Sequence, residues 1–549
     1  MISPDYSAFW PRSRSKSLSI PETALHVNLD ISALRYPQKP CLVYYDAIYT
    51  YAQVHQDVQA LAGFLQQDCG VQKGDRVLLY MQNSPQYVLA YYAILRADAV
   101  VVPVNPMNRA EELQHYIRDT GATVVIYGQE LHDQVTALGA SAPAHKIVAA
   151  YHDYLPASGT DLAVPDVVAE PARALAGKGV IIWKEALAHQ RKPAPSLAGA
   201  DDMAVMPYTS GTTGHPKGCI HTHRSTMYNT VSPAVWYDGG NQDAVFLGVL
   251  PFFHVTGMEG VMNSAIYLGA TIVIMTRWDR VVAARCIERY RVGRLPLIAA
   301  MVVDLLAMPE LASYDLSSIA RVSGGGAAMP EAIAEKLQRD FGLTYIEGYG
   351  MSEVMAPTHI NPERHPRKQC LGIPIFDVDA RIIDPGTLQE VPQGEVGEII
   401  VHGPQVMQGY WNNPKATEDV FITLDNKRFL RTGDLARMDA DGYYFMVDRL
   451  KRMINASGYK VWPAEVETLM YGHPAILEVC VVGVADEKRG ETVKAWVVLR
   501  DDKRNSVTEQ DIMDWCREVM ASYKVPRIVV FTDALPKTAS GKVLWRALG

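Results

Sequence analysis

Apolar and polar positions along this chain fall into blocks of two alternating kinds. Arg76–Met81, Ala99–Pro103, Ala122–Gly128, Ala244–Leu250 and Ala270–Met275 are short runs rich in β-branched residues, as buried strands require. Between them Gln86–Arg96, Arg109–Asp119, Arg280–Tyr290 and Pro330–Phe341 have helical spacing. Strand–helix alternation predicts an α/β fold with a largely parallel sheet covered on both faces. From Leu371 to His402 the strands shorten and turns such as Asp384-Pro385-Gly386 and Pro392-Gln393-Gly394 intervene, which predicts a small antiparallel sheet or barrel. Near the end, Glu478–Val484, Val493–Leu499 and Ile528–Thr532 read as strands and Val507–Met520 as a helix, a small α+β domain. The charged segment Asp448-Arg449-Leu450-Lys451 separates the two styles. The expected division is therefore a large domain over 1–447, with 371–447 as its β subdomain, a connection at 448–451, and a C-terminal domain over 452–549.

Composition narrows the function classes. The chain has 48% hydrophobic and 20% charged residues, ordinary for a globular protein. Its 52 basic against 60 acidic residues give a formal net charge of -8, which excludes nucleic-acid binding driven by bulk charge and allows local basic pockets. Seven scattered cysteines without a CxxC pair predict neither a disulfide framework nor a structural zinc site, and point to the cytoplasm. The N-terminal stretch has no apolar core of a signal peptide, and Ile94–Val104 is too short and too charged to span a bilayer. The basic run Arg12–Lys16 beside Trp10 reads as a solvated arm, with contact to a membrane surface as the alternative.

Tyr208–Gly218 carries the most specific chemistry. It packs the hydroxyls of Thr209, Ser210, Thr212 and Thr213, the glycines Gly211, Gly214 and Gly218, and Lys217 into eleven residues. Glycines let backbone N–H groups approach an anion, hydroxyls add donors, and a lysine adds a point charge. The loop suits a polyphosphate, yet it is not a Walker A loop, because Lys217 sits six residues after Gly211 and is followed by glycine. Close by, Cys219, His221 and His223 superficially resemble metal ligands; lacking a second cluster, they read as structural.

This loop resembles the phosphate-loop signature of the adenylate-forming superfamily, which includes acyl-CoA synthetases, peptide-synthetase adenylation domains and firefly luciferase. Further motifs follow in the family's order from about Tyr51 to Leu548. Gly348-Tyr349-Gly350-Met351-Ser352-Glu353 is similar to the adenine and magnesium motif, and Ser323-Gly324-Gly325-Gly326-Ala327-Ala328 to the strand end bordering adenine and acyl group. Arg431-Thr432-Gly433-Asp434-Leu435 resembles the ribose motif, and Pro536–Val543 the terminal catalytic motif. The resemblance implies a large N-terminal domain of stacked α/β layers with a β-barrel-like subdomain, and a small mobile C-terminal domain.

The same resemblance implies a reaction and its residues. A carboxylic acid and Mg-ATP give an acyl-adenylate and pyrophosphate; coenzyme A then takes the acyl group and AMP leaves. Thr209 to Gly214 and Lys217 would hold phosphates, with Lys217 also catalytic. Gly325, Gly326, Ala327 and Gly348 to Ser352 would line the adenine site. Glu353 and Thr209 would hold Mg²⁺, Asp434 and Arg449 the ribose. Lys451 would be the hinge, Gly458 would line the pantetheine channel, and Lys542 would bridge carboxylate and α-phosphate. His254 would gate the acyl tunnel. His254, Val255, Met258, Met262, Ile298, Met301, Val302, Gly325 and Gly326 would line the acyl pocket.

Departures from the family refine this. Asn455 stands where luciferases have a second lysine, and no Asp lies in Phe252–Gly257 to meet an α-amino group, so light emission and amino-acid activation are disfavoured. No carrier domain follows Lys542, so a freestanding ligase to a soluble thiol is expected. The pocket residues are apolar or small and carry no positive charge, which favours a monocarboxylic acid with an apolar tail. Asp448–Glu465 resembles bacterial medium- to long-chain fatty acyl-CoA ligases. An aryl or other small acid, or transfer to an acyl carrier protein, is the alternative. A homodimer is the default expectation.

Overall fold

The computed structural model describes residues 8–209, 216–237, 239–326, 329–456, 459–486, 490–504, 506–537 and 543–549. They resolve into two compact units, one comprising 8–379 with 402–428, the other 380–401 with 429–549.

Among the described residues, the larger unit contains a nine-stranded and a seven-stranded sheet. The nine-stranded sheet runs Ile373–Pro374, His359–Ile360, Tyr345–Tyr349, Arg321–Gly325, Arg294–Pro296, Val245–Gly248, Thr271–Ile274, Pro40–Tyr44 and Ala47–Thr50. Its central pairs are parallel and its outer pairs antiparallel. The seven-stranded sheet centres on Arg76–Tyr80, flanked by Val100–Pro103 and Val124–Gly128, both parallel to it. The expected strands and helices of this region all form, with no end shifted by more than two residues. Chain alternation built two sheets where one was expected, because alternation does not encode which strands neighbour.

Helix Pro85–Arg96 explains part of the packing. Ser84 caps it by accepting from the Tyr87 amide, and Pro85 occupies its first turn. Every residue from Pro85 to Leu95 is buried, as a helix apolar on all sides demands. Just before it, the Asn83 amide donates to the carbonyls of Gly248 (3.3 Å) and Leu250 (2.9 Å) and accepts from the Phe252 amide (2.8 Å). That side chain fixes the backbone leading to His254. At the N-terminal arm, Trp10 packs edge-on against Trp236 and Phe376, and Arg14 donates to the Val235 carbonyl. Trp10 is half-buried against the body, while Arg12, Ser13, Arg14, Ser15 and Lys16 are exposed. No helix among the described residues is long and apolar enough to cross one.

In the second unit, Asp379–Ile383, Gly397–His402, Lys427–Met438 and Tyr444–Arg449 form the small β-sheet expected from the turns, antiparallel where its register is defined. The C-terminal part pairs Ile476–Asp486 with Gly490–Leu499, and Ile528–Phe531 lies parallel to the latter. Helix Glu509–Val519 starts with a capping box of Thr508 and Asp511 and buries Ile512 and Cys516 against this sheet. Residues 380–401 and 429–447 cluster with 448–549 in this division.

Candidate active site

The phosphate-loop ends come together as a two-stranded hairpin. Thr209 pairs with Lys217 and Tyr208 with Gly218, so Thr209 and Lys217 share a face. Helix Ala110–Thr120 anchors its base: Asp119 accepts from the Tyr208 hydroxyl (2.5 Å) and His115 Nε2 meets the Pro216 carbonyl (2.9 Å). The strand Tyr208–Thr209 lies against the 3-10 turn Ser352–Val354, which carries Glu353. Each carbonyl of that turn is held: Ser352 by His221 Nε2 (2.8 Å), Glu353 by the Met407 amide (2.9 Å), Val354 by Asn229 (2.9 Å). Because a carbonyl only accepts, His221 donates from Nε2. Burial pushes its pKa down to about 4, so the ring stays neutral.

Glu353 is buried, with Oε1 accepting from the Tyr410 hydroxyl at 2.8 Å. The Lys217 ammonium sits 4.1 Å from the centroid of the same Tyr410 ring. Tyr410 thus touches the lysine with its ring and the carboxylate with its hydroxyl. Burial, then the Glu353 charge, raises the Tyr410 pKa far above that of free tyrosine, so it remains a donor. Gly348 and Tyr349 close the strand before this turn, with Gly350 and Met351 following. Tyr349 is buried with its ring edge-on to His359. Beside them, Gly325 pairs with Gly348, and a Cβ on Gly325 would fall 2.3 Å from the Gly348 carbonyl oxygen. Gly326 has φ +83°, a conformation other residues rarely adopt.

His254 is half-buried and caps the turn Val255–Gly257, its Nδ1 facing the Thr256 amide at 3.4 Å. A π-helix, Met258–Asn263, follows; such turns concentrate at functional sites. Val255, Met258 and Met262 are buried in the main core, while Ile298 and Met301 are half-buried. Gly260 and Ser323 line a slot between the sheet and this helix, which ends at Tyr237, Arg294 and Arg321. Two guanidinium groups therefore border the slot. Val302 lines a separate apolar cavity with Leu297, Leu305 and Val322. Leu297 and Val322 alternate with Pro296 and Ser323, so that cavity is on the opposite sheet face.

In the second unit Asp434 is 2% exposed and pairs with Arg449 Nε at 3.1 Å, from register-matched positions. Glu398 shapes the preceding turn, accepting from Arg431 and from the Gly433 amide (3.0 Å). Lys451 lies on the 3-10 turn Leu450–Arg452. Asp448 accepts from the Ala464 amide (2.7 Å), and Arg452 pairs with Glu467, so the segment is tied to helix Pro463–Met470. Ser210, Gly211, Thr212, Thr213, Gly214, Ala327, Gly458 and Lys542 lie outside the described residues.

With this geometry in hand, likeness to known proteins is decisive. The profile of the AMP-binding enzyme family matches residues 29–411, and that of the AMP-binding enzyme C-terminal domain matches residues 465–542. The chain belongs to the AMP-binding enzyme family. It is 36% identical to the long-chain-fatty-acid–CoA ligase of Bacillus subtilis, over 98% of this chain and 97% of that protein. It is 35% identical to a feruloyl-CoA synthase of an Amycolatopsis species, over 90% and 92% respectively. Among solved structures, ATP-bound MatB from Rhodopseudomonas palustris aligns with a TM-score of 0.83 at 26% identity, covering 96% of this chain and 98% of that one.

Two residues of this AMP-binding enzyme escaped the sequence reading. Tyr410 carried no signal, being one of two adjacent aromatics in Gln408–Trp411. Glu398 did carry one: a carboxylate within the apolar strand Gly397–His402 must be partnered. Tyr410→Phe keeps the ring over Lys217 and deletes the bond to Glu353. A hydrogen bond to a charged group is worth about 1.5–3 kcal/mol, so kcat/KM for ATP falls by about 10–100-fold in a pyrophosphate-release assay. An unchanged value would remove Tyr410 from the site.

Glu259, on the π-helix, is fully buried and accepts from Thr230 (2.9 Å) and Asn263 (2.8 Å). Burial pushes its pKa up to about 8, with those two bonds opposing the rise. The folded state thus holds a proton that the unfolded state loses above pH of about 4.5, and stability falls as pH rises from there to about 8. Glu259→Gln removes this loss. In urea unfolding at pH 5 and 8.5, the variant gains on the wild type with rising pH by on the order of 4 kcal/mol. Equal gaps at both values would mean Glu259 is ionised in the fold.

Proposed function

We propose that this chain, an adenylate-forming acyl-CoA ligase, activates a fatty acid. The observation that carries the acid class is the slot against the nine-stranded sheet, lined in part by Phe246, Leu268, Pro296 and Gly260. Such a lining takes an alkyl tail and discriminates weakly between neighbouring lengths, by about 1–3 kcal/mol per methylene. The likeness to the Bacillus ligase, named for long-chain fatty acids, supports the same reading. Likeness to the feruloyl-CoA synthase supports an aryl acid as second reading.

The carboxylate oxygen attacks the α-phosphorus of ATP, the bond to the bridging oxygen breaks, and pyrophosphate leaves. Lys217 and the loop hold the phosphates, and Lys542 bridges the two anions that must meet. Glu353 and Thr209 supply oxygen donors of the kind Mg²⁺ takes, on neighbouring elements; the ion would offset phosphate charge. Asp434 with Arg449 receives the ribose. The coenzyme A sulfur then attacks the acyl carbonyl, the mixed-anhydride C–O bond breaks, and AMP leaves. A swing about Lys451 exchanges Lys542 for the face carrying Gly458, and His254 gates the thiol. All seven cysteines are free and buried, which supports a reducing, cytoplasmic setting.

The test is thioester formation from ATP, coenzyme A and single acids. Decanoate or palmitate should exceed ferulate and benzoate at least tenfold in kcat/KM. The reverse order would establish the aryl reading.

A further inference from the structure

We propose that Tyr237 stacked on Arg321 is the end stop of the acyl slot and sets the preferred acid at about eight to twelve carbons. This rests on the reading of the chain as a fatty acyl-CoA ligase. One wall is a single face of the nine-stranded sheet. Phe246 is in register with Arg294, Arg294 with Arg321, and Pro296 with Ser323. Residues two apart on a strand share a face, so Arg321, Ser323 and Gly325 form one line. Gly325 stands at the strand end that faces the Gly348 motif, and Arg321 at the other. The opposite wall is the end of helix His223–Trp236 and the π-helix with its continuation. There a Cβ added to Gly260 would meet nothing within 4 Å, so the glycine leaves room in the slot.

At the far end the lining changes character. The Arg321 guanidinium lies 4.1 Å from the Tyr237 ring centroid, is 8% exposed, and is ion-paired with Glu363. Arg294 joins it and donates to the Gly239 carbonyl at 2.6 Å. A methyl terminus pushed between these groups would desolvate charge without replacing its partners, so the favourable apolar path ends here. The line from Gly325 to Arg321 spans four residues, about 13 Å at roughly 3.3 Å per residue. An extended alkyl chain built from bonds of about 1.5 Å advances about 1.25 Å per carbon, so about ten carbons fill it.

The test is the kcat/KM profile for saturated acids from about six to eighteen carbons, for three enzymes. The wild type should peak between about eight and twelve carbons and fall at least tenfold by sixteen. Tyr237→Ala, at a half-buried position past the helix end, should move the peak longer by two carbons or more. Gly260→Leu, which fills open space, should move it shorter. A wild-type peak at sixteen carbons or beyond, or a Tyr237→Ala profile that superimposes on the wild type, overturns the end stop and leaves the ligase reading intact. Failure to turn over any fatty acid, with ferulate or benzoate accepted, overturns the fatty-acid reading and the end stop with it.

Discussion

Glu353→Gln lowers the rate of adenylate formation by about 10²–10³-fold while the protein remains folded. The expectation follows from how the side chain is held. The turn Ser352–Val354 has all three carbonyls bonded, so its backbone survives the substitution. The glutamine oxygen can still accept from Tyr410, and the volume is unchanged. What disappears is one negative charge, buried beside the hairpin that carries Lys217 and Thr209. If that charge holds the cation accompanying ATP, its loss acts on the chemical step and on ATP affinity together. Stopped-flow pyrophosphate release and thermal unfolding separate the cases. A slow enzyme with wild-type unfolding supports the assignment; wild-type rates would make Glu353 a structural carboxylate.

Lys542→Ala produces a loss of similar size confined to the first half-reaction. Two anions, a carboxylate and an α-phosphate, must approach within bonding distance, and a cation bridging them acts most where charge develops. Adenylate formation should fall by about 10²–10³-fold. Thioester formation from synthetic acyl-adenylate and coenzyme A should stay within a few-fold of wild type, because that step leaves the phosphate as product. Equal losses in both half-reactions would mean that Lys542 supports the fold or the site as a whole.

The fold was legible where one periodicity dominates. Arg280–Tyr290 and Val124–Gly128 are a helix and a strand whose patterns have no competitor, and both elements form there. Lateral order was not legible, since it depends on contacts between distant strands. The site divides in the same way. Thr209 and Lys217 fall in one loop segment of the sequence, so their common role was legible, and the hairpin pairs them. Tyr410 is 57 residues from Glu353, and a neutral aromatic gives no warning of such a contact. Val322 shows the limit of residue type: an apolar side chain fits either face of a sheet, and strand parity decides. Arg294 and Arg321 show the converse, because parity turns two strand-opening arginines toward the slot.

The central claim is acid activation through an acyl-adenylate, and isotope exchange between labelled pyrophosphate and ATP tests it most directly. The account predicts exchange that requires a fatty acid and Mg²⁺, proceeds without coenzyme A, and collapses in Glu353→Gln and Lys542→Ala. Exchange that ignores the acid, or thioester formation with no exchange in the absence of coenzyme A, would contradict it.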